Sequence, residues 1–233
     1  PPSIVLEADP PLHTRTRTVL ARTMTPGIVK ALREQFEREA EILVDRMLDI
    51  GEFDGIADFA EHYPTKVFPD AVGLPVKGRE NLLPYGSMVF NSFGPQNEFT
   101  QAAMANADAV RGWIMANCAR EALTRDGLGA MIYAAVDTGE LKEDEAGMLV
   151  RSFLSAGVDT TVNAFGNLLW CLATHPEQWR KLREKPELAR NAFEESLRYE
   201  GPAQAFFRTT TQEVEIGGVT IGANEKICAF MQS

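Results

Sequence analysis

The chain has 233 residues, of which 45% are hydrophobic and 24% charged, with a formal net charge of -10 at pH 7. No apolar run approaches the roughly 18 residues needed to cross a bilayer, and general nucleic-acid binding requires the electropositive face that this composition lacks. Neither a membrane nor a nucleic acid is expected as a partner. Cys118, Cys171 and Cys228 show no metal-ligand spacing and no even disulfide set, which places the chain in a reducing cytoplasm. No linker, charge run or internal repeat divides it, so a single domain over 1–233 is expected, helical over 12–200 and β over 205–233.

The first helix is expected from about Leu12 to Ala21. Thr25-Pro26, a capping residue followed by Pro at the first helical position, opens a second helix to about Leu48. Gly51 to Gly55 breaks the pattern. A helical segment then runs to about Val72 and ends in the loop Gly73-Leu-Pro75. Glu80 to Phe93 and Glu98 to Leu123 read as two helices separated by Gly94-Pro95, with a short helix near Leu128 to Val136 after them. Helical periodicity without Pro predicts one uninterrupted helix from Glu143 to Thr174, about 48 Å long. Two shorter helices follow His175-Pro176, the second from about Glu187 to Tyr199, stopped by Gly201-Pro202. The period then changes to that of strands: Val214 to Ile216, Gly217-Gly218 and Val219 to Ile221 read as a hairpin, and Lys226 to Phe230 as a further strand. The fold class is mainly α with a small β region near the end.

The long helix carries the site signature. At about 100° per residue Ser152, Ser155, Asp159 and Asn163 share a narrow arc, with Ala156 and Thr160 beside them and Gly157 close by. Unpaired polar groups in a core cost roughly 1 to 3 kcal/mol each, so a buried helix has little reason to carry such a face. The Thr160 hydroxyl can turn back to the Ala156 carbonyl and loosen the helix there. Two readings stand at this point. One is a packing contact in which small residues admit a neighbouring element, and the other is a site filled by a non-protein group.

Other clusters bear on the choice. His13 and Arg17 lie about 40° apart on one face of the first helix and suit an anionic group, whereas Arg15 and Arg22 share the opposite face and suit an acidic partner in solution. Glu195 and Arg198 stand three apart on a helix, a common and individually weak pairing. Arg208 follows Phe206-Phe207 in a non-helical stretch, where it either stacks on them or faces an anion.

Ala156-Gly-Val-Asp-Thr-Thr161, then Glu195-x-x-Arg198, Arg208 and Val214-Glu-Ile-Gly-Gly-Val-Thr-Ile221, in this order and spacing, resemble the bacterial cytochrome P450 haem-thiolate monooxygenases. Asp9-Pro-Pro-Leu-His-Thr-Arg-Thr-Arg17 resembles the same family's propionate-binding segment. The resemblance implies a cytochrome P450 fold, haem b as cofactor, dioxygen as co-substrate and a ferredoxin-type redox partner, here docking near Arg15 and Arg22. Asp159 and Thr160 match its proton-relaying acid and alcohol, and Ala156-Gly157 its oxygen groove. His13, Arg17 and Arg208 match residues that neutralise haem propionates, and Glu195 with Arg198 a structural pair. The family's axial ligand is a Cys in a Gly-flanked loop downstream of the hairpin. It is expected beyond Ser233, because Cys118 and Cys171 fall in predicted helices, Cys228 falls in a strand and all three read as small buried hydrophobes. Both ends of a longer parent protein are expected to be absent.

The pattern is most similar to the members that oxidise para-substituted benzoates, including 4-methoxybenzoate. Leu6, Phe90, Phe93 and Phe206 are expected to wall a flat apolar ligand. Ser3, Ser152 and Ser155, with Arg151 nearby, are expected to hold its carboxylate, while its para substituent points towards Ala156 and Thr160. Phe206 and Phe207 alternate in direction in an extended segment, so only one faces the ligand. The competing function is a non-redox α-helical binding or regulatory module that takes a small aromatic acid in the same pocket.

Overall fold

The computed structural model describes residues 2–231, so the expected domain limits at 1 and 233 lie outside the described residues. Two compact units emerge, Pro1–Val162 and Asn163–Ser233.

The first unit is helical. Its α-helices are α1 (Leu12–Thr23), α2 (Pro26–Ile50), α3 (His62–Val72), α4 (Leu82–Asn91), α5 (Glu98–Ala103), α6 (Ala107–Asn117), α7 (Leu128–Asp137) and α8 (Glu143–Gly157). Local chemistry starts several of them. Thr25 caps α2 by accepting from the Ile28 amide at 3.5 Å, with Pro26 in the first turn as expected. Asp54 accepts from the amides of Ile56 and Ala57 and opens a wide π-type turn over Gly55–Ala60, where an α-helical start was expected. At the start of α8 the Glu145 carboxylate accepts from the Lys142 amide at 2.8 Å.

The segment from Glu98 to Leu123 is not one helix. It breaks after Ala103, resumes at Ala107 and ends in a 3-10 turn at Arg120–Ala122. Met104 and Ala107 pack against the core across this bend, so tertiary burial outweighs helical continuity.

α8 packs against α3, α4, α6 and α7, and its apolar residues Leu149, Val150 and Leu154 sit at the centre of the buried cluster with Val72, Leu82, Ile114 and Ile132. Tyr133 of α7 donates its buried hydroxyl to the Cys118 carbonyl at 2.8 Å, while Arg120 lies 5.0 Å over the Tyr133 ring.

The second unit takes over within α9 (Asp159–Thr174) and continues with α10 (Pro176–Glu184) and α11 (Ala189–Tyr199). Four strands follow, β1 (Ala205–Thr209), β2 (Val214–Ile216), β3 (Val219–Ile221) and β4 (Lys226–Phe230). β2 and β3 form the expected hairpin, with Gly217 and Gly218 both at positive φ, as a two-residue turn between twisted strands demands. β1 pairs antiparallel with β4, Phe206 opposite Ala229 and Arg208 opposite Ile227. The stretch read only as non-helical is therefore a strand, whose partner lies beyond the hairpin. The mainly α class with a small terminal β region is as expected.

Candidate functional site

The long helix is interrupted where its small and polar residues cluster. α8 ends at Gly157, Val158 takes φ -90° and ψ -68°, and α9 begins at Asp159, so the uninterrupted helix expected over Glu143 to Thr174 is two helices. Side chains enter the backbone ladder at the break: Thr160 Oγ1 donates to the Ala156 carbonyl at 2.6 Å and Thr161 Oγ1 to the Gly157 carbonyl at 2.8 Å. Ala156 is exposed there, and Asp159 and Thr160 are half-buried. Burial pushes the Asp159 carboxyl above its ordinary pKa.

Packing also operates at this break. A Cβ on Gly157 would lie 2.3 Å from the Phe68 ring, which stacks edge-on against Phe153 at 5.1 Å. Gly157 therefore admits an aromatic ring beside the break.

A cavity of about 430 Å³ opens in the first unit and gathers Ser3, Leu6, Phe93, Ser152 and Ser155. Ser3 Oγ donates to Ser152 Oγ at 3.1 Å, although the two are 149 residues apart, and Ser155 Oγ donates to the Ser152 carbonyl at 3.0 Å. Arg151, only 8% exposed, also lines the cavity, and its Nη2 donates to the Pro2 carbonyl at 2.9 Å. Glu7 contributes a carboxylate at the same cavity, and its Oε2 accepts from the Ser3 amide at 2.7 Å.

Two further polar residues line it that sequence reasoning missed, Tyr85 on α4 and Arg111 on α6. Helical spacing of Tyr85, Met88 and Val89 along one face of α4, continued by Ser92 just past its end, is the signal that marks that wall. Phe90 and Ala156, expected beside the ligand, are not among the lining residues. Phe90 instead packs edge-on against Phe93 at 6.3 Å, its position next to Val89 on α4 turning it about 100° away from the lining face.

The basic faces of α1 differ in their use. Arg15 Nη2 lies 2.6 Å from Glu145, and Arg22 binds Glu140 through two bonds of 2.7 Å. Both arginines expected to face a soluble acidic partner are thus engaged by acids 130 and 118 residues away, a pairing set by the packing of α1 on α7. Arg17 is exposed and His13 half-buried, and among the described residues neither side chain forms a hydrogen bond or ion pair.

In the second unit Arg208 Nη1 donates to the Phe207 carbonyl at 2.8 Å, and both Phe206 and Phe207 are exposed. Glu195 and Arg198 form a two-bond pair at 2.6 and 2.8 Å, itself exposed. Glu195 also borders a second cavity of about 500 Å³ between α9, α10 and α11.

A cytochrome P450 family model matches residues 114–233, more than half of the chain. The chain belongs to the cytochrome P450 family. Over its whole length it is 51% identical to "Cytochrome p450 CYP199A2" of Rhodopseudomonas palustris and spans 57% of that relative. It is 30% identical to a biotin biosynthesis cytochrome P450 of Bacillus subtilis, with 96% of this chain and 58% of that one covered. Among solved structures, P450BioI in complex with an acyl carrier protein carrying hexadec-9Z-enoic acid aligns with a TM-score of 0.87 at 27% identity, covering 99% of this chain and 61% of that one. The chain thus spans little more than half the length of the relatives it matches.

The cofactor of the cytochrome P450 family is haem b. The fit of this chain to haem is one-sided. His13 and Arg17 offer side-chain donors not consumed by the protein among the described residues, as a propionate site requires. The cysteines do not offer an axial thiolate. Cys118 is buried, and burial pushes its thiol up to about 12. Burial also raises the thiol of Cys171, which is only half-buried. Cys228 is exposed on β4, so of the three expected to be buried hydrophobes only Cys118 is one. Among the described residues no group of three His, Cys, Asp or Glu side chains is arranged to hold a metal ion, and no helix is long and apolar enough to cross a membrane.

Proposed function

We propose that the intact protein is a cytoplasmic haem monooxygenase that hydroxylates or O-demethylates a small aromatic carboxylic acid such as 4-methoxybenzoate. The observation that carries this reading is the joining of Ser3, Ser152 and Ser155 with the buried Arg151 in one cavity, whose apolar wall includes Leu6 and Phe93. A hydroxyl cluster beside a guanidinium recognises a carboxylate, and the apolar wall accepts an aromatic ring. The haem, when bound, supplies dioxygen activation. Asp159 and Thr160, at the helix break that follows the cavity residues of α8, hold and pass protons. His13, Arg17 and Arg208 serve the propionates, Ala156 and Gly157 the oxygen groove, and Phe206 the substrate. Glu195 and Arg198 serve as scaffold. A ferredoxin-type protein supplies electrons, docking near Arg15 and Arg22, whose side chains stay partly exposed in their ion pairs. Family membership removes the support for a non-redox binding module.

The intact, reduced, carbon monoxide-treated protein is expected to show the thiolate-type absorption band, and with its redox partners to convert 4-methoxybenzoate to 4-hydroxybenzoate and formaldehyde. A protein without that band is not a haem-thiolate enzyme, and a band without turnover excludes this substrate. Ser152→Ala is expected to weaken 4-methoxybenzoate binding about tenfold, the size of one hydrogen bond to a charged group, and binding of the uncharged amide analogue less than threefold. Spectral titration checks both, and equal losses would separate the serines from the carboxylate.

A further inference from the structure

Gly86 lies in the interior of α4, where glycine is the least favourable residue after proline. It is buried, and its φ is not among the positive values that demand glycine. The reason for it lies on the facing element. A Cβ at position 86 would stand 2.7 Å from the Cβ of Asp159, 2.9 Å from its Oδ1 and 3.0 Å from its Cγ. Contacts under 3.0 Å are essentially never tolerated, and the nearest atom is a Cβ, whose place is set by the backbone rather than by a rotamer. Relief therefore requires the first turn of α9 to move away from α4, by about 0.7 Å to reach the ordinary contact of 3.4 Å.

We infer that Gly86 is a positioning residue that seats the Asp159 side chain against α4. The seat places α4 against one side of the half-buried carboxyl, in keeping with the burial that raises its pKa. It also ties the acid to the helix whose Tyr85 and Met88 line the binding cavity. The catalytic meaning of the seat rests on the role proposed above for Asp159.

The test uses the intact holoenzyme. Gly86→Ala is expected to displace Asp159 in a crystal structure, to lower product formed per electron pair about threefold and to leave the Kd of 4-methoxybenzoate within twofold. Added to Asp159→Asn it should cause no further uncoupling. An undisplaced Asp159 with unchanged coupling, or losses that multiply in the double variant, would overturn the inference, whereas unchanged coupling in Asp159→Asn alone would overturn the relay reading itself. Thermal midpoints decide the seat even if Gly86→Ala folds poorly. Alanine at 86 should lower the midpoint of the otherwise native protein but raise that of Asp159→Gly, which has no Cβ to meet, by about 2 °C. A fall in both backgrounds would also overturn the inference.

Discussion

Thr160→Ala in the intact protein is expected to lower the product formed per electron pair by about tenfold while 4-methoxybenzoate affinity stays within twofold. The two effects separate because Thr160 is not among the residues lining the cavity that holds Ser152 and Ser155. Its hydroxyl donates to the Ala156 carbonyl at 2.6 Å, so the oxygen is held beside the break with its lone pairs free to accept a proton. Positioned proton transfer contributes about 10² to 10⁴-fold to a rate, and water entering the methyl-lined gap restores part of it. The lost reducing equivalents should be recovered as hydrogen peroxide. Thr160→Ser, which keeps the hydroxyl, should retain most of the coupling. Full coupling in Thr160→Ala would remove Thr160 from the relay and leave its bond to Ala156 as a purely structural one.

Leu149→Ala is expected to destabilise the protein by about 3 kcal/mol, near the middle of the range for a fully buried leucine. Leu149 is 0% exposed on α8, the helix packed against α3, α4, α6 and α7, so the space left cannot close by the shift of a single neighbour. Denaturant unfolding should show a lower midpoint with an unchanged slope. A loss below 1 kcal/mol would mean that α8 is not the centre of the core. The site would feel such a loosening as well, because Arg151, Ser152 and Ser155 stand on the same helix.

Features written in neighbouring residues were legible without coordinates. Thr25-Pro26 starts α2, Gly217-Gly218 closes the hairpin, and the Thr160 hydroxyl turns to a carbonyl only four residues away. The break at Val158 was anticipated only as a loosening, since the apolar period runs on through it and no Pro or turn dipeptide marks it. The bend between Ala103 and Ala107 was missed for the same reason. The cavity was legible in part: five of the residues expected to bind the substrate line it, Ser3, Leu6, Phe93, Ser152 and Ser155. Tyr85 and Arg111 were not foreseen, because a single tyrosine or arginine on a helix is an ordinary surface residue until another helix is laid across it.

The sequence by itself determined the mainly helical class, the hairpin and the terminal β region, which depend on spacing within a few residues, and motifs in a fixed order along the chain carried the resemblance to the family. Partners distant along the chain were decided only by the tertiary structure. Arg15 and Arg22 carry charges that would serve a soluble partner equally well, and only the packing of α1 on α7 hands them to Glu145 and Glu140. Gly86 has no local reason to be glycine, and only Asp159, whose Cβ lies 2.7 Å from where a Cβ at position 86 would stand, supplies one. Hydrogen bonds, ion pairs and van der Waals exclusion act over a few ångströms of space, whatever the separation along the chain.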